Sequence, residues 1–136
     1  MQLDRNLAIP LPSGWSSIGG PRVSADGHRL TGGNFVIAGN FSFARTVQLT
    51  TGKLPAPPDG KVVVRIVDLP ENTATTNWQH VTKLQLPVIS TSHRTVTWNV
   101  AFETEPVQIS VKTGSARVTA PEKALINRFL AKVQHR

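Results

Sequence analysis

Lys61-Val62-Val63-Val64-Arg65-Ile66-Val67-Asp68-Leu69 is the run that decides the fold. Five of its nine residues are β-branched Val or Ile, the side chains that best suit a pleated surface. Alternation along a strand puts Val62, Val64 and Ile66 on one face and Lys61, Val63, Arg65 and Val67 on the other. The run stops hard at both ends, at Pro57-Pro58-Asp59-Gly60 before it and at Pro70 after it. It reads as a central strand whose apolar face the rest of the chain must cover.

Downstream, Glu71 to Asn77 is polar and turn-like, an exposed loop by composition. His80 to Ile89 places Leu84, Leu86 and Val88 on one face, and Pro87 restricts this run to an edge or a strand end. Arg94 to Phe102 alternates cleanly, with Val96, Trp98, Val100 and Phe102 opposite Thr95, Thr97 and Asn99. Glu105-Pro106 is expected to turn the chain. Val107, Ile109 and Val111 then alternate with Gln108, Ser110 and Lys112, and Gly114 leads into a last short strand, Ala116-Arg117-Val118. From Thr119 the period changes. Thr119-Ala120-Pro121-Glu122 has the form of a capping box with Pro in the first turn. Leu125, Ile126, Phe129, Leu130 and Val133 make one helical stripe. The spacing predicts a helix of about four turns over 119–136, with Lys132, His135 and Arg136 at its negative end.

Upstream, Phe35-Val36-Ile37-Ala38, Phe41-Ser42-Phe43 and Thr46 to Thr50 read as short strands, and Gly52 to Gly60 as a loop. Met1 to Gly33 shows no period, because glycines and prolines interrupt it repeatedly. Leu3, Leu7, Ile9, Leu11, Trp15 and Ile18 make it too apolar for a disordered tail. It reads as an extended arm lying on its own domain or on a neighbouring subunit, with Asp26-Gly27 a hairpin turn into His28-Arg29-Leu30.

The expected architecture is therefore all-β. It is a two-layer antiparallel β-sandwich of about six to eight strands over 34–118, with an extended arm over 1–33 and one amphipathic helix over 119–136. At 136 residues it makes a single domain large enough for a real core. With no cysteine, disulfides, thiolate metal sites and thiol catalysis are excluded. No apolar run reaches the ~18 residues of a membrane span. Met1 to Pro12 carries Asp4 and Arg5 and lacks the apolar core of a signal peptide.

Catalytic signals are sparse. His28, His80, His93 and His135 are scattered without zinc spacing. Gly14-Trp15-Ser16-Ser17-Ile18-Gly19 misses the spacing of a nucleophile elbow. Glu103 and Glu105 share a strand face, as two solvated carboxylates at a strand end commonly do. The glycine pairs lack the strand–loop–helix setting of a phosphate loop. Asn40-Phe41-Ser42 matches a glycosylation sequon but has no secretion signal before it. The expectation is a protein without enzymatic activity, catalytic residues, metal or cofactor.

Charge placement carries more information. The formal charge is +7, which suits an anionic partner. The acids fall at turns and ends, whereas Lys61, Arg65, Lys83, Lys112 and Arg117 fall in expected strands opposite the apolar face. Thr95, Thr97, Asn99, Gln85, Gln108 and Ser110 are their neighbours. A face of that kind contacts phosphates without reading bases. The plainer alternative is a solvated face whose lysines block edge pairing.

Two short resemblances bear on function. Pro57-Pro58-Asp59 followed by Val62-x-Val64-x-Ile66-x-Asp68 resembles the opening of the sandwich in periplasmic lipoproteins of the pilotin kind, without their lipidated N-terminal Cys. The basic strand Lys61 to Leu69, the loop Glu71 to Asn77 and the Trp-led strand Trp78 to Thr91 resemble single-stranded RNA phage coat proteins. Those coats continue into paired helices, where this chain has further strands. The first expectation is a structural virion protein, a small phage coat subunit or a capsid- or tail-associated protein, made in the host cytoplasm. Its partners are copies of itself or a capsid or tail protein, with nonspecific RNA or DNA contact and no membrane. Leu7, Ile9, Leu11, Trp15, Leu125, Phe129 and Val133 would carry subunit contacts, and the basic residues would face nucleic acid or an acidic neighbour. The alternatives are a monomeric periplasmic pilotin- or chaperone-like module, with a peptide groove beside the helix, and a nucleic-acid-binding regulator.

Overall fold

Val62–Asp68 (β5) is an interior strand, hydrogen-bonded on both sides in a computed structural model of the chain. The structure describes residues 2–4, 7–23, 29–43, 54–70, 72–87 and 95–135. The other strands are Gln2–Asp4 (β1), Leu7–Ala8 (β2), Ser16–Val23 (β3), Arg29–Gly39 (β4), His80–Val81 (β6), Thr95–Phe102 (β7), Glu105–Thr113 (β8) and Gln134–His135 (β9), and the helix is Ala120–Ala131 (α1). Among the described residues the protein is all-β and sandwich-like with one C-terminal helix. Six strands form one sheet in the order β3-β4-β5-β8-β7-β6, antiparallel except for the β6–β7 pair. β1, β2 and β9 form a small antiparallel sheet.

Every residue of β5 except Arg65 is buried. On the inner face, Val62, Val64 and Ile66 join Val36 and Ala38 of β4, Val107, Ile109 and Val111 of β8, and Val100 and Phe102 of β7. Ile126, Phe129 and Leu130 of α1 and Leu7 and Ile9 of the N-terminal segment close this core from above. The helix and the small sheet thus form the second layer. On the outer face, Val63 and Val67 pack with Phe35, Ile37 and Leu54, and Phe41, Phe43 and Leu69 lie against them.

The turns follow from local chemistry. Asp59-Gly60 opens β5 through a bond from the Lys61 N–H to the Pro58 carbonyl at 3.0 Å, with Gly60 at φ +80. A positive φ at that position of a turn favours glycine. Asn40 extends the β4–β5 ladder past its end: its Oδ1 accepts from the Val62 N–H at 2.8 Å. That places the sequon asparagine in structural work. The capping box forms as expected, with Glu122 Oε1 accepting from the Thr119 N–H at 2.9 Å and Thr119 Oγ1 accepting from the Glu122 N–H at 3.3 Å. Ser115 N–H donates to Glu122 Oε2 at 3.3 Å, which ties the helix start to the end of β8.

Several expectations are corrected. The described residues before Asn34 contain β1, β2, β3 and the start of β4, paired within the two sheets of the same chain. Backbone pairing specifies these strands, and glycines and Pro21 carry no alternation to reveal it. The β3–β4 pairing requires a connection through 24–28, which includes the expected Asp26-Gly27 turn and lies outside the described residues. Glu105-Pro106 does not turn the chain. Glu103 and Thr104 do, both at positive φ (50 and 71) as a two-residue type I′ hairpin loop requires. Glu105 and Pro106 begin β8. Leu84 and Leu86 are buried but outside any strand. Ala116-Arg117-Val118 is not a strand; residues 114–117 bend toward α1. The helix ends at Ala131, and Gln134 and His135 pair with β2 instead of extending it. The expected strand over 46–50 and Val88 lie outside the described residues.

Two predictions follow from the turns and the cap. At Gly114 a Cβ would run into the backbone carbonyl of Pro58. Gly114→Ala is therefore expected to cost at least about 2 kcal/mol in urea unfolding, and an unchanged midpoint would contradict this close approach. Burial pushes the Glu122 carboxyl up, but hydrogen bonds from Thr119 and Ser115 outweigh it and hold the group below the usual glutamate range. Its stabilisation is then complete above the unfolded value of about 4.3 and is lost as pH falls through the lower folded value. Glu122→Gln should cost about 1–2 kcal/mol near neutral pH and flatten the acid limb of the stability profile.

Candidate nucleic-acid interface

The outer face of the main sheet has two unlike halves. Over β3, β4 and β5 it is apolar and carries Ile18, Phe35, Ile37, Val63 and Val67 beneath Leu54, Phe41 and Phe43. Over β5, β8 and β7 it is polar. Register decides this: Arg65 lies opposite Ser110, Val67 opposite Gln108 and Val63 opposite Lys112. On the far side of β8, Lys112 faces Thr95, Ser110 faces Thr97 and Gln108 faces Asn99. Arg65, Gln108, Ser110, Lys112, Thr95, Thr97 and Asn99 therefore share one surface, as the alternation predicts. No described carboxylate stands on these three strands' outer face, since Asp68 and Glu105 belong to the inner register.

Side chains on this surface are linked. Arg65 Nη2 donates to Ser110 Oγ at 3.3 Å and, more weakly, to Gln108 Oε1 at 3.5 Å. The Ser110 and Thr97 hydroxyls are 3.0 Å apart. Arg65 is half-buried and Ser110 is buried, so this guanidinium is held flat on the sheet. Lys112 is half-buried, and Thr95, Thr97 and Asn99 are exposed. Lys61 is exposed one residue ahead of β5, at the Lys112 end, where its carbonyl accepts from the Gly114 N–H at 3.0 Å.

The other expected basic residues are not part of this surface. Lys83 is exposed in the bend after β6. β6 pairs in parallel with Ala101 and Phe102, so Lys83 stands at the opposite end of β7 from Lys112. Arg117 is exposed in the bend leading to α1. Spacing alone places both in strands, but each lies in a bend outside any strand.

The residues expected at subunit contacts are placed differently. Leu7, Ile9, Phe129 and Val133 line the core of their own chain, at 0%, 0%, 1% and 5% exposure. Trp15 stacks on Phe129 with ring centroids 4.8 Å apart and planes 4° from parallel. Leu125 is half-buried beside the same core. Leu11 alone of the seven is exposed, at 37%. An apolar arm and an amphipathic helix signal burial without saying against what, and here they bury each other.

Two pairings had no counterpart in the expectations. Asn127 Oδ1 on α1 accepts from the Leu86 N–H at 2.8 Å, so the helix satisfies a backbone donor of the segment that follows β6. His135 Nε2 lies 3.6 Å from Glu105 Oε2 and edge-on to Phe102. Both bring distant segments together through topology, which spacing does not encode. Among the described residues no group of three or more His, Asp or Glu side chains is placed to hold a metal ion. No described helix is long and apolar enough to cross a membrane. No family model, curated protein or solved structure matches the chain.

The two exposed or half-exposed lysines and the held arginine should separate in a folding assay. Lys61→Ala and Lys112→Ala are expected to change unfolding free energy by less than about 0.5 kcal/mol. Arg65→Ala should cost about 1–3 kcal/mol, because buried Ser110 loses a donor. Equal effects at all three positions would contradict this arrangement.

Proposed function

We propose that this is a non-enzymatic structural protein of a virion, a small phage coat subunit or a capsid- or tail-associated protein, that works by assembly and turns the β5-β8-β7 face toward nucleic acid. The observation that carries this reading is the composition of that face. It is an open sheet surface with Lys61, Arg65 and Lys112 among hydroxyls and amides, and without a described carboxylate. Cations on a flat surface attract a phosphate backbone by releasing its counterions, and short hydroxyl and amide side chains hydrogen-bond phosphate and sugar without demanding a sequence. The formal charge of +7 favours the same partner at longer range.

Leu54, Phe41 and Phe43 of the chain itself cover the apolar half of the same face, and among the described residues the polar half stays open. The monomeric binding module has less to stand on. It calls for a peptide groove beside the helix, and both flanks of α1 are engaged, by Trp15 on Phe129 and by Leu86 on Asn127.

Filter binding of single-stranded RNA over a range of salt concentrations tests the proposal. Affinity is expected to fall steeply with salt and to vary little with sequence. Lys61→Ala and Lys112→Ala should each reduce the slope of log affinity against log salt by about 0.7, whereas Lys83→Ala should leave it unchanged. Salt-independent binding, or a slope that Lys83 controls and Lys112 does not, would overturn the assignment of this face.

A further inference from the structure

Among the described residues, the β7 edge of the main sheet is open beyond its short pairing with β6. The Ala101 N–H points away from β8 to the Gln79 carbonyl at 2.9 Å, and the Glu103 N–H points the same way to the Val81 carbonyl at 3.0 Å. Alternation gives that outward direction to Thr95, Thr97 and Asn99 as well. β6 pairs only with Ala101 and Phe102. Among the described residues nothing bonds the outward N–H and C=O groups of Thr95, Thr97 and Asn99.

Sheet edges usually carry devices that prevent pairing: charge, proline, a bulge or a very short strand. The opposite edge has them. β3 contains Pro21 and Arg22, and its register shifts between Pro21 and Val23. β7 has none over Thr95-Val96-Thr97-Trp98-Asn99-Val100: no charge, no proline, an unbroken register with β8 and strong β-formers.

We infer that this edge pairs with the same edge of a second copy, antiparallel across a two-fold axis at Thr97. The sequence fits itself in that register. Thr97 meets the partner's Thr97, and Thr95 meets the partner's Asn99. Every outward N–H and C=O of the three residues then finds a partner. On the inner face, Val96 meets the partner's Trp98. Both side chains are only half-buried and already lean on the core, so the pairing extends that core across the seam. The seam carries no charge, which matters for two chains of +7 each. Lys112 and the partner's Lys112 stand at opposite ends of it, because each faces its own Thr95. β6 ends the seam at Ala101.

The pairing joins the two polar faces into one surface. It deepens the assembly reading but rests on other atoms, so the two fail separately. RNA binding can be absent from a dimer, and a monomer can bind RNA.

The chain has no cysteine, so single cysteines report the register without background. Directly bonded residues across an antiparallel seam have Cα atoms about 5.5 Å apart, within disulfide range. Thr97→Cys is expected to oxidise to a covalent dimer. Thr95→Cys should not, because its own counterpart lies roughly 14 Å along the strands. Light scattering on the unmodified chain should give twice the 14.8 kDa of one chain or a multiple of that pair. Thr97→Pro removes an outward donor and no β8 bond, and should return the protein to the mass of one chain. Thr97→Lys, which sets like charges opposite each other, should do the same with circular dichroism unchanged, and it serves if the proline variant fails to fold. A monomer at all concentrations would overturn the inference, as would a dimer that Thr97→Lys leaves intact and Thr97→Cys does not cross-link.

Discussion

The dryness of both faces of β5 is the constraint on which the rest depends. A strand with apolar side chains on alternate faces needs two coverings, and this chain supplies two of different kinds. The inner face receives a helix and a small sheet, which bring Phe129, Ile126, Leu130, Leu7 and Ile9 onto Val62, Val64 and Ile66. The outer face receives Leu54, Phe41 and Phe43. Each fully buried side chain of this size contributes roughly 1.5–3 kcal/mol, and the Trp15–Phe129 stack adds about 0.5–1.5. Leu7, Ile9 and Trp15 are thereby packed against their own chain.

Leu54, Phe41 and Phe43 lie over only one half of the outer face, and the other half carries polar residues. Arg65 is where the change occurs. It interrupts the buried run of β5 and reaches across to Ser110 and Gln108, whose neighbours on β7 are Thr97 and Asn99. Folding and the proposed function thus meet in one side chain, partly structural and partly electrostatic. Lys112 and Lys61 flank it with more freedom and less structural duty.

What was legible in the sequence was periodicity. β5, β7 and β8 were readable because their side chains alternate without interruption, and so was their shared polar face, since parity and register agree. The capping box at Thr119 and Glu122 was readable because it is a local pattern with a local cause. β3 and the start of β4 were not, because Gly19-Gly20-Pro21 and Gly32-Gly33 have no alternation to read, and Gly19, Gly20 and Pro21 find their partners through register alone. The end of the helix was not, because Val133 keeps the helical spacing while the chain leaves α1 at Ala131 to pair with β2. Lys83 was misplaced for a related reason: Leu84 and Leu86 alternate in burial, yet a helix asparagine, not a strand, satisfies the Leu86 N–H. The fates of Leu7, Ile9, Phe129 and Val133 show the same limit. Apolar spacing specifies burial, and only topology specifies the partner.

The central claim is that a sheet face without described carboxylates makes this chain a subunit that assembles on nucleic acid. Electron microscopy of the protein purified from an expressing cell, with absorbance of the same fraction at the nucleic-acid and protein maxima, tests it most directly. The account predicts uniform particles whose absorbance ratio reports enclosed nucleic acid and falls when Lys61 and Lys112 are both changed to Ala. Isolated small species with the absorbance of pure protein, unchanged when RNA is added at low salt, would contradict it.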